Sequence, residues 1–310
     1  MIMKIKYCEI PLLSYKNVAI GIPIVEVGDM SSGFCVLVCQ LHGDEFSSWI
    51  IAKNLLEQVQ SQKTNLGIKL ILSANPYGAT VGVKNEPVTD TNLNRSFTSE
   101  VVNKRVKINP EAEIVSKIID LMKGATFVID VHDMPGSKLA LSSILTKSGN
   151  RKTTLNNLTL INCFGPAIYW EEDFDVKKIR DRYKGTINNY LNSVNIPNFS
   201  IETSFVEFLS FRESRNIARK IIGLCSLPTT ISKRTLRIMR VEQYTPVAGI
   251  FIPGKVQLMR AVKKGELLGR VISFNKEKKV IAEAGGYLIR LSSRRFVKNG
   301  EKILDIGVKK

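Results

Sequence analysis

Apolar and polar positions follow two different patterns along the chain, one before about residue 228 and one after it. In the first part, short apolar runs alternate with stretches whose apolar residues recur every three or four positions. The runs predict strands at 34–41, 68–74 and 125–131, and the helical spacing predicts helices at about 46–60, 110–123 and 211–225. Such alternation is typical of an α/β domain.

The second part, from about residue 229, contains short β-type runs separated by glycine turns such as Pro253-Gly254 and Lys264-Gly265. This pattern predicts a small all-β domain. Pro228 is the best candidate for the boundary, so we expect one domain over residues 1–228 and another over 229–310. Before the boundary, the mixed segment 133–165 shows strand-like runs at 139–146 and 157–164.

Composition places the chain among globular proteins, with 44% apolar and 24% charged residues over 310 positions. No apolar run reaches the ~18 residues of a membrane helix, and the N-terminus lacks the features of a signal peptide. The five cysteines include no Cys-x-x-Cys pair, which is typical of reduced thiols. We therefore expect a cytoplasmic protein without a membrane partner, and a homo-oligomer remains open.

The formal charge of +17 is concentrated near the C-terminus. Residues 231–310 hold 19 Lys and Arg against 6 Asp and Glu, a net charge of +13, whereas residues 1–230 hold 26 against 22. Such a region could bind nucleic acid or attract an anionic small molecule. The basic residues are not interleaved with stacking aromatics, so we expect a solvated surface and no nucleic-acid partner.

The chain has only two histidines, and each comes at the end of a predicted buried strand. His42 is followed three positions later by Glu45, and His132 follows the run 125–131. Two imidazoles and one carboxylate form a three-ligand set with one open position, the arrangement of catalytic zinc. We predict one Zn²⁺ per chain on His42, Glu45 and His132. Asp130 shares a strand face with His132 and either orients its ring or is a buried polar group.

Other polar residues could complete a hydrolytic site. Glu202 ends a short predicted strand and could act as a general base, although spacing alone does not choose between Glu202 and Glu207. Arg95 offers a fork of donors that suits a substrate carboxylate, with Asn94 beside it. The alternative for Arg95 is an ordinary surface ion pair.

Five segments in one order carry a family resemblance: His42-Gly43-Asp44-Glu45, Asn75-Pro76, Asn92-Leu93-Asn94-Arg95-Ser96-Phe97, Ile129-Asp130-Val131-His132 and Ile201-Glu202. Together they resemble the succinylglutamate desuccinylase/aspartoacylase family of zinc carboxypeptidase-like amidohydrolases. The tail also resembles that family's small C-terminal β domain, particularly Val262-Lys263-Lys264-Gly265-Glu266-Leu267-Leu268-Gly269.

The resemblance implies an α/β fold with a mixed central sheet flanked by helices. It implies zinc on His42, Glu45 and His132, Glu202 as general base and acid, and Asn94 with Arg95 as holders of a substrate carboxylate. The implied reaction is hydrolysis of an amide in a small N-acyl amino acid or similar anionic compound.

The sequence departs from the family pattern at the position where members often carry a carbonyl-polarising arginine. Lys84 stands there, and a lysine supplies charge without the planar fork. No arginine lies in 191–200, where some members have one that contacts substrate. These departures leave the zinc ligands intact and the substrate open. Two rivals therefore stand beside the deacylase: a zinc carboxypeptidase with the same core acting on short peptides, and, from the C-terminal charge of +13, a non-catalytic protein that binds anions through the basic β domain.

Overall fold

The structure, a computed structural model, describes residues 3–12, 20–62, 64–102, 109–147, 149–172, 177, 181, 183–226 and 235–310. Within these residues the helices are α1 (Ser47–Val59), α2 (Pro76–Val81), α3 (Ser99–Val102), α4 (Pro110–Met122), α5 (Arg151–Phe164), α6 (Ile187–Ser193) and α7 (Phe211–Cys225). A short 3₁₀ turn covers Leu93–Arg95.

The strands of the first part are β1 (Ile5–Pro11), β2 (Gly21–Val27), β3 (Phe34–Cys39), β4 (Gly67–Ile71), β5 (Phe127–Met134), β6 (Ser137–Leu139), β7 (Ser142–Thr146), β8 (Ile168–Glu172) and β9 (Asn198–Ser204). The later strands are β10 (Leu236–Tyr244), β11 (Gly249–Pro253), β12 (Ala261–Val262), β13 (Leu267–Ile272), β14 (Glu277–Ile281), β15 (Gly286–Ser292), β16 (Phe296–Val297) and β17 (Lys302–Lys309).

One large mixed sheet forms the centre of the protein. Its strand order in the described residues is β1-β2-β4-β3-β5-β9-β7-β8-β10-β17-β15-β12, with β6 on β15. The inner strands β4, β3, β5 and β9 run parallel, while β7 pairs antiparallel with β9. The predicted fold class, an α/β protein with a mixed central sheet, is confirmed.

Helices cover both faces of this sheet, as the alternation along β3 shows. Leu37 faces one core that includes buried residues of α1, α5 and α7, whereas Val36 faces a second core that includes α4 and α6. A strand that is buried on both faces must be apolar at nearly every position, which is what the sequence has over 34–39.

The helix predicted over 211–225 is confirmed, because local chemistry fixes both its start and its buried face. Ser210 and Glu213 form a capping box in which each side chain bonds the other's backbone N–H. The helix predicted over 110–123 is also confirmed as α4, where the Asn109 side chain caps the start and Pro110 occupies the first turn.

The strand predicted at 157–164 is wrong, because these residues belong to α5. The Asn150 side chain accepts hydrogen bonds from the N–H groups of Lys152 and Thr153, which starts the helix, and Gly165 ends it in the left-handed conformation. The helix buries Asn157, Ile161 and Phe164 along one side.

Over residues 235–310 the C-terminal part is all β, as predicted, and has its own core around residues such as Phe251, Leu268 and Val271. Four of its strands form a separate sheet in the order β14-β13-β11-β16. Another, β10, pairs parallel with β8, so the large sheet runs on into this part. The boundary residue Pro228 lies outside the described residues, and the division into 1–228 and 229–310 stays a prediction.

Candidate metal centre

The loop after β3 carries His42 and is held by backbone contacts. Gly43 donates its N–H to the Lys84 carbonyl at 3.2 Å. A Cβ at position 43 would lie 2.2 Å from the backbone carbon of Gly78 and 2.5 Å from the nitrogen of Ala79. Only glycine therefore allows the His42 loop to pack this closely against α2.

His42 and His132 meet around the carboxylate of Glu45. Each ring has its Nδ1 atom 2.7 Å from a different Glu45 oxygen, and the ring centroids lie 4.9 Å apart. His132 comes from β5, which continues to Met134 and does not end at the histidine as predicted. All three side chains are buried, and the structure thus brings the three predicted ligands together.

The outward-facing nitrogen of each ring is also held. His132 Nε2 lies 2.6 Å from an Asp130 oxygen, and His42 Nε2 lies 3.1 Å from the Asn92 Oδ1 atom. Asp130 thus contacts the ring of His132, with which it was expected to share a strand face. The contact of Asn92 was missed, because it joins positions 50 residues apart and no local pattern signals it.

Asp133 contacts the site through its backbone. Its N–H donates to a Glu45 oxygen at 3.3 Å, while its side chain accepts the N–H of Ser47 at the start of α1. Burial, together with the negative charge of Glu45, raises the pKa of the Asp133 carboxyl to about 8. The side chain therefore connects β5 to α1 and does not contact a histidine.

Charges at the centre are strongly coupled. Burial alone would raise the pKa of Glu45, but the positive charges of His42 and His132 outweigh it and hold that pKa well below its usual range. Burial likewise opposes a charged His132, yet Asp130 and Glu45 raise the pKa of His132 well above its usual value. This pocket favours a carboxylate beside positive charge.

The donor set fits a divalent zinc ion. Zinc in proteins is bound by imidazole nitrogens and carboxylate oxygens. The histidine ligands commonly donate the N–H of their other ring nitrogen to a carboxylate or another oxygen acceptor. Here the candidate ligand atoms all lie within 4.8 Å of one another, and Asp130 and Asn92 occupy the outer positions. Glu45 stands between the two rings, where a cation would balance its charge.

Glu202 lies beside this centre on β9. The parallel register pairs Glu202 with His132, so both side chains point to the same side of the sheet. Burial raises the pKa of Glu202 to about 7, with Glu45 adding to the effect and His132 and Arg240 opposing it. Glu207, the alternative in the sequence, is exposed on the turn after β9. Geometry therefore favours Glu202.

The predicted substrate-binding residues lie next to the ligands. Asn94 is buried, with its Nδ2 atom 3.4 Å from His132 Nε2 and its Oδ1 atom accepting the N–H of Ile187. Arg95 is partly exposed, donates to the carbonyl of Asn94 and lies over the ring of Tyr183. Both residues thus have structural partners of their own, and Arg95 is the more exposed of the two.

Lys84 is exposed at the rim of the site. Its carbonyl accepts from Gly43 and from the Asn75 side chain, so the backbone at this position supports the His42 loop. Burial and the negative charge of Glu45 raise the pKa of Asp44, and the positive charges of His42 and Lys84 partly oppose that rise. The catalytic role of Lys84 and the binding roles of Asn94 and Arg95 stay predictions.

The chain matches the model of the succinylglutamate desuccinylase/aspartoacylase catalytic domain over residues 34–212, which is more than half of its length. This chain belongs to the succinylglutamate desuccinylase/aspartoacylase family. Membership places it among hydrolases that remove acyl groups from amides. The family resemblance predicted from the motifs is confirmed.

Several solved structures share the fold of this chain. A succinylglutamate desuccinylase from Silicibacter sp. TM1040 has 15% identity and a TM-score of 0.80, with 99% of this chain and 95% of that chain covered. The product-bound ectoine utilization protein EutE (DoeB) from Ruegeria pomeroyi has 15% identity and a TM-score of 0.79, with the same coverage. An aspartoacylase family protein from Mesorhizobium loti has 17% identity and a TM-score of 0.75, with 99% and 96% covered.

At these identities the likeness concerns the fold alone. Among curated proteins, none matches the chain by sequence. None of the helices in the described part of the chain has the length and apolar character needed to cross a membrane.

Proposed function

We propose that this protein is a zinc-dependent deacylase that hydrolyses the amide bond of a small N-acyl amino acid or a similar carboxylate-bearing compound. The observation that carries the proposal is the convergence of His42, Glu45 and His132, with Glu202 in register with His132. Three ligands and an adjacent carboxylate are the parts that metal-assisted amide hydrolysis requires.

His42, Glu45 and His132 would hold the ion. A zinc ion bound by these residues supplies Lewis-acid polarisation of an amide carbonyl and makes water acidic enough to act as a nucleophile near neutral pH. Asp130 and Asn92 fix the orientation of the two rings, since each accepts from a ring nitrogen on the far side from Glu45.

Glu202 moves the proton. Its carboxylate takes a proton from the attacking water and returns it to the nitrogen of the leaving amine, so that the C–N bond breaks without expelling an amide anion. A pKa near 7 suits both halves of this transfer, because the group can gain and lose a proton at neutral pH.

Binding of the substrate carboxylate falls to Arg95, whose guanidinium is partly exposed beside the ligands. Asn94 places Arg95 relative to His132 through its own buried contacts. Lys84 at the rim would stabilise negative charge that develops on the carbonyl oxygen. We further propose a cytoplasmic location, which the free thiols of Cys35, Cys39 and Cys225 support.

Metal analysis combined with a deacylation assay tests the proposal. The purified protein should contain about one zinc per chain, and His42→Ala should lose both metal and activity. Glu202→Gln should keep the metal but lower kcat by roughly 10²–10⁴-fold. Glu207→Gln, which alters an exposed carboxylate nearby, serves as the control and should leave kcat unchanged.

A substrate panel separates the deacylase from the peptidase. It contains N-succinylglutamate and N-acetylaspartate, further N-acyl amino acids and short peptides with free C-termini. Turnover of the N-acyl amino acids supports the proposal, and turnover of peptides alone would replace it with a carboxypeptidase. Unchanged activity in His42→Ala would overturn metal-assisted hydrolysis altogether.

A further inference from the structure

One side of the small sheet β14-β13-β11-β16 faces solvent, although many of its side chains are apolar. Along these strands, alternate residues such as Phe251, Val271 and Val280 point into the core of the C-terminal part. The residues between them point outward. We call the outward side chains Ile250, Ile252, Leu267, Arg270, Ile272, Glu277, Lys279, Ile281 and Phe296 the outer face.

The apolar residues of the outer face are contiguous. Ile250 on β11 lies directly opposite Ile272 on β13 and directly opposite Phe296 on β16. These three side chains are 44%, 40% and 62% exposed. A row of neighbouring exposed apolar side chains across three strands is a feature of surfaces that bind something, whereas isolated exposed apolar residues need no explanation.

Phe274 extends this surface at the turn between β13 and β14. It lies two residues after Ile272 and is fully exposed, at 108% of the reference area. An aromatic ring that packs against nothing gives the folded protein no stability. Its position at the tip of a hairpin lets it enter a partner without rearrangement of the fold.

Positive charge surrounds the apolar residues. Arg270 and Lys279 are paired neighbours within the outer face, in the row next to Ile250. Glu277, opposite Ile272, is a carboxylate on this face and forms a 3.7 Å ion pair with Arg270, so Lys279 and the flanking lysines and arginines carry the excess positive charge. The adjacent exposed basic side chains are Lys255, Lys276, Lys278, Arg295 and Lys298. With Arg270 and Lys279 these make seven basic side chains, against the single carboxylate Glu277 within the outer face. The partner must therefore be anionic as well as able to accept apolar side chains.

The charge and the apolar character of the outer face distinguish between three possible partners: a second copy of the chain, a nucleic acid and an anionic bilayer. A second copy of the chain would bring two strongly basic surfaces together, which like-charge repulsion opposes. Nucleic acid would use the basic residues and could stack on Phe274 and Phe296, but it gains nothing from a row of isoleucines. The surface of an anionic bilayer uses both, because its lipid headgroups attract lysines and its acyl boundary accepts apolar side chains.

We propose that the outer face and Phe274 bind the surface of an anionic phospholipid bilayer. The sequence argued against a membrane partner because no run could span a bilayer. A peripheral contact needs no spanning helix, only apolar side chains at a protruding surface and basic residues around them. Such a contact would bring the enzyme to membranes and leave its catalytic centre unchanged.

Flotation of the full-length protein with lipid vesicles tests this directly. The protein should bind phosphatidylcholine vesicles that contain about 30% phosphatidylserine, should not bind phosphatidylcholine alone, and should dissociate as salt rises. Phe274→Ala combined with Phe296→Ala, and separately Lys276→Glu combined with Lys279→Glu, should each weaken binding by at least about tenfold. All four side chains are exposed and lie outside the catalytic centre, so deacylase activity should stay unchanged.

Matched exchanges elsewhere control for general effects of charge and hydrophobicity. Phe211→Ala removes an exposed ring from α7, and Arg151→Glu with Lys152→Glu reverses two exposed charges at the start of α5. These variants should bind vesicles as the unaltered protein does, apart from the small effect of net charge.

Three results would overturn the proposal. The first is no flotation with the anionic vesicles at low salt. The second is flotation that the outer-face variants and the control variants reduce equally. The third is evidence that the outer face binds another partner. The protein would then bind an RNA or DNA oligonucleotide more tightly than the vesicles, or would self-associate as its concentration rises, and the outer-face variants would abolish that binding or self-association.

Discussion

Replacing Asp130 by alanine should weaken zinc binding through the ring of His132. The Asp130 carboxylate makes a 2.6 Å contact with His132 Nε2, and Asp130 is only 1% exposed. Its other oxygen has no hydrogen-bond partner in the described part of the chain. The substitution therefore removes essentially one interaction, so its effect can be assigned to that contact.

The expected size follows from the type of contact. A buried hydrogen bond to a charged group contributes about 1.5–3 kcal/mol. Loss of such a partner behind a metal-bound histidine weakens metal affinity by roughly 10–100-fold, which corresponds to about 1.4–2.7 kcal/mol. The two ranges agree, so we expect Asp130→Ala to raise the Kd for zinc by this factor. Asp130→Asn, which keeps an oxygen acceptor without the charge, should fall between alanine and the unaltered protein.

Competition with a chromogenic zinc chelator measures the affinity of each variant. Asp120→Ala, an exchange at an exposed carboxylate on α4, is the matched control and should leave the Kd unchanged. A Kd for Asp130→Ala within about twofold of the unaltered value would refute the reasoning, because a carboxylate that orients a ligand must contribute to its affinity.

Three further predictions concern stability. Gly43→Ala should destabilise the fold by about 1–3 kcal/mol in thermal or denaturant unfolding, because the new methyl group would clash with the backbone of α2. Gly149→Ala is the control: its methyl group would enter open space, so the free energy of unfolding should be nearly unchanged. Gly223→Ala should stabilise the protein by about 0.5–1 kcal/mol, since the position is exposed within α7 and a methyl group there meets nothing; an equal or lower melting temperature would contradict this. Burial would raise the pKa of Glu242, but contacts with Tyr244, Arg240 and Lys302 lower it to about 2. The charged Glu242 therefore stabilises the fold above the unfolded pKa of 4.5, and this stabilisation is lost as the pH falls toward 2. Glu242→Gln should cost roughly 1–2 kcal/mol near neutral pH and nothing at the acid end, and a cost that does not change with pH would show that charge is not the cause.

The sequence predicts those features that local chemistry fixes. The helix over 211–225 is correctly predicted from its amphipathic spacing alone, and the structure adds the capping box of Ser210 and Glu213 that fixes its start. The candidate ligands His42 and His132 could be picked out because both histidines of the chain follow apolar strands, and the order of the motifs indicated the family.

Features that depend on contacts between residues far apart in the chain were not predicted from the sequence. Asn92 touches His42 from a loop 50 positions away, and its side chain carries no local mark of that role. The segment 157–164 is rich in apolar residues that suit a strand or a helix equally. In the structure it is helical, as part of α5, whose start is capped by Asn150 seven positions earlier. The ends of β5 and β9 were placed too early because His132 and Glu202 are polar, whereas the strands continue through the buried site.

The pairing of β10 with β8 has a practical consequence for anyone who wishes to isolate the catalytic part. Cutting the chain before residue 235 would remove the strand that covers the edge of β8 and would leave unpaired backbone N–H and C=O groups in water. An open strand edge is a template for pairing with other molecules, and such a fragment should aggregate. Soluble expression of a shortened enzyme would require a redesigned edge, for example by charged or proline residues on β8.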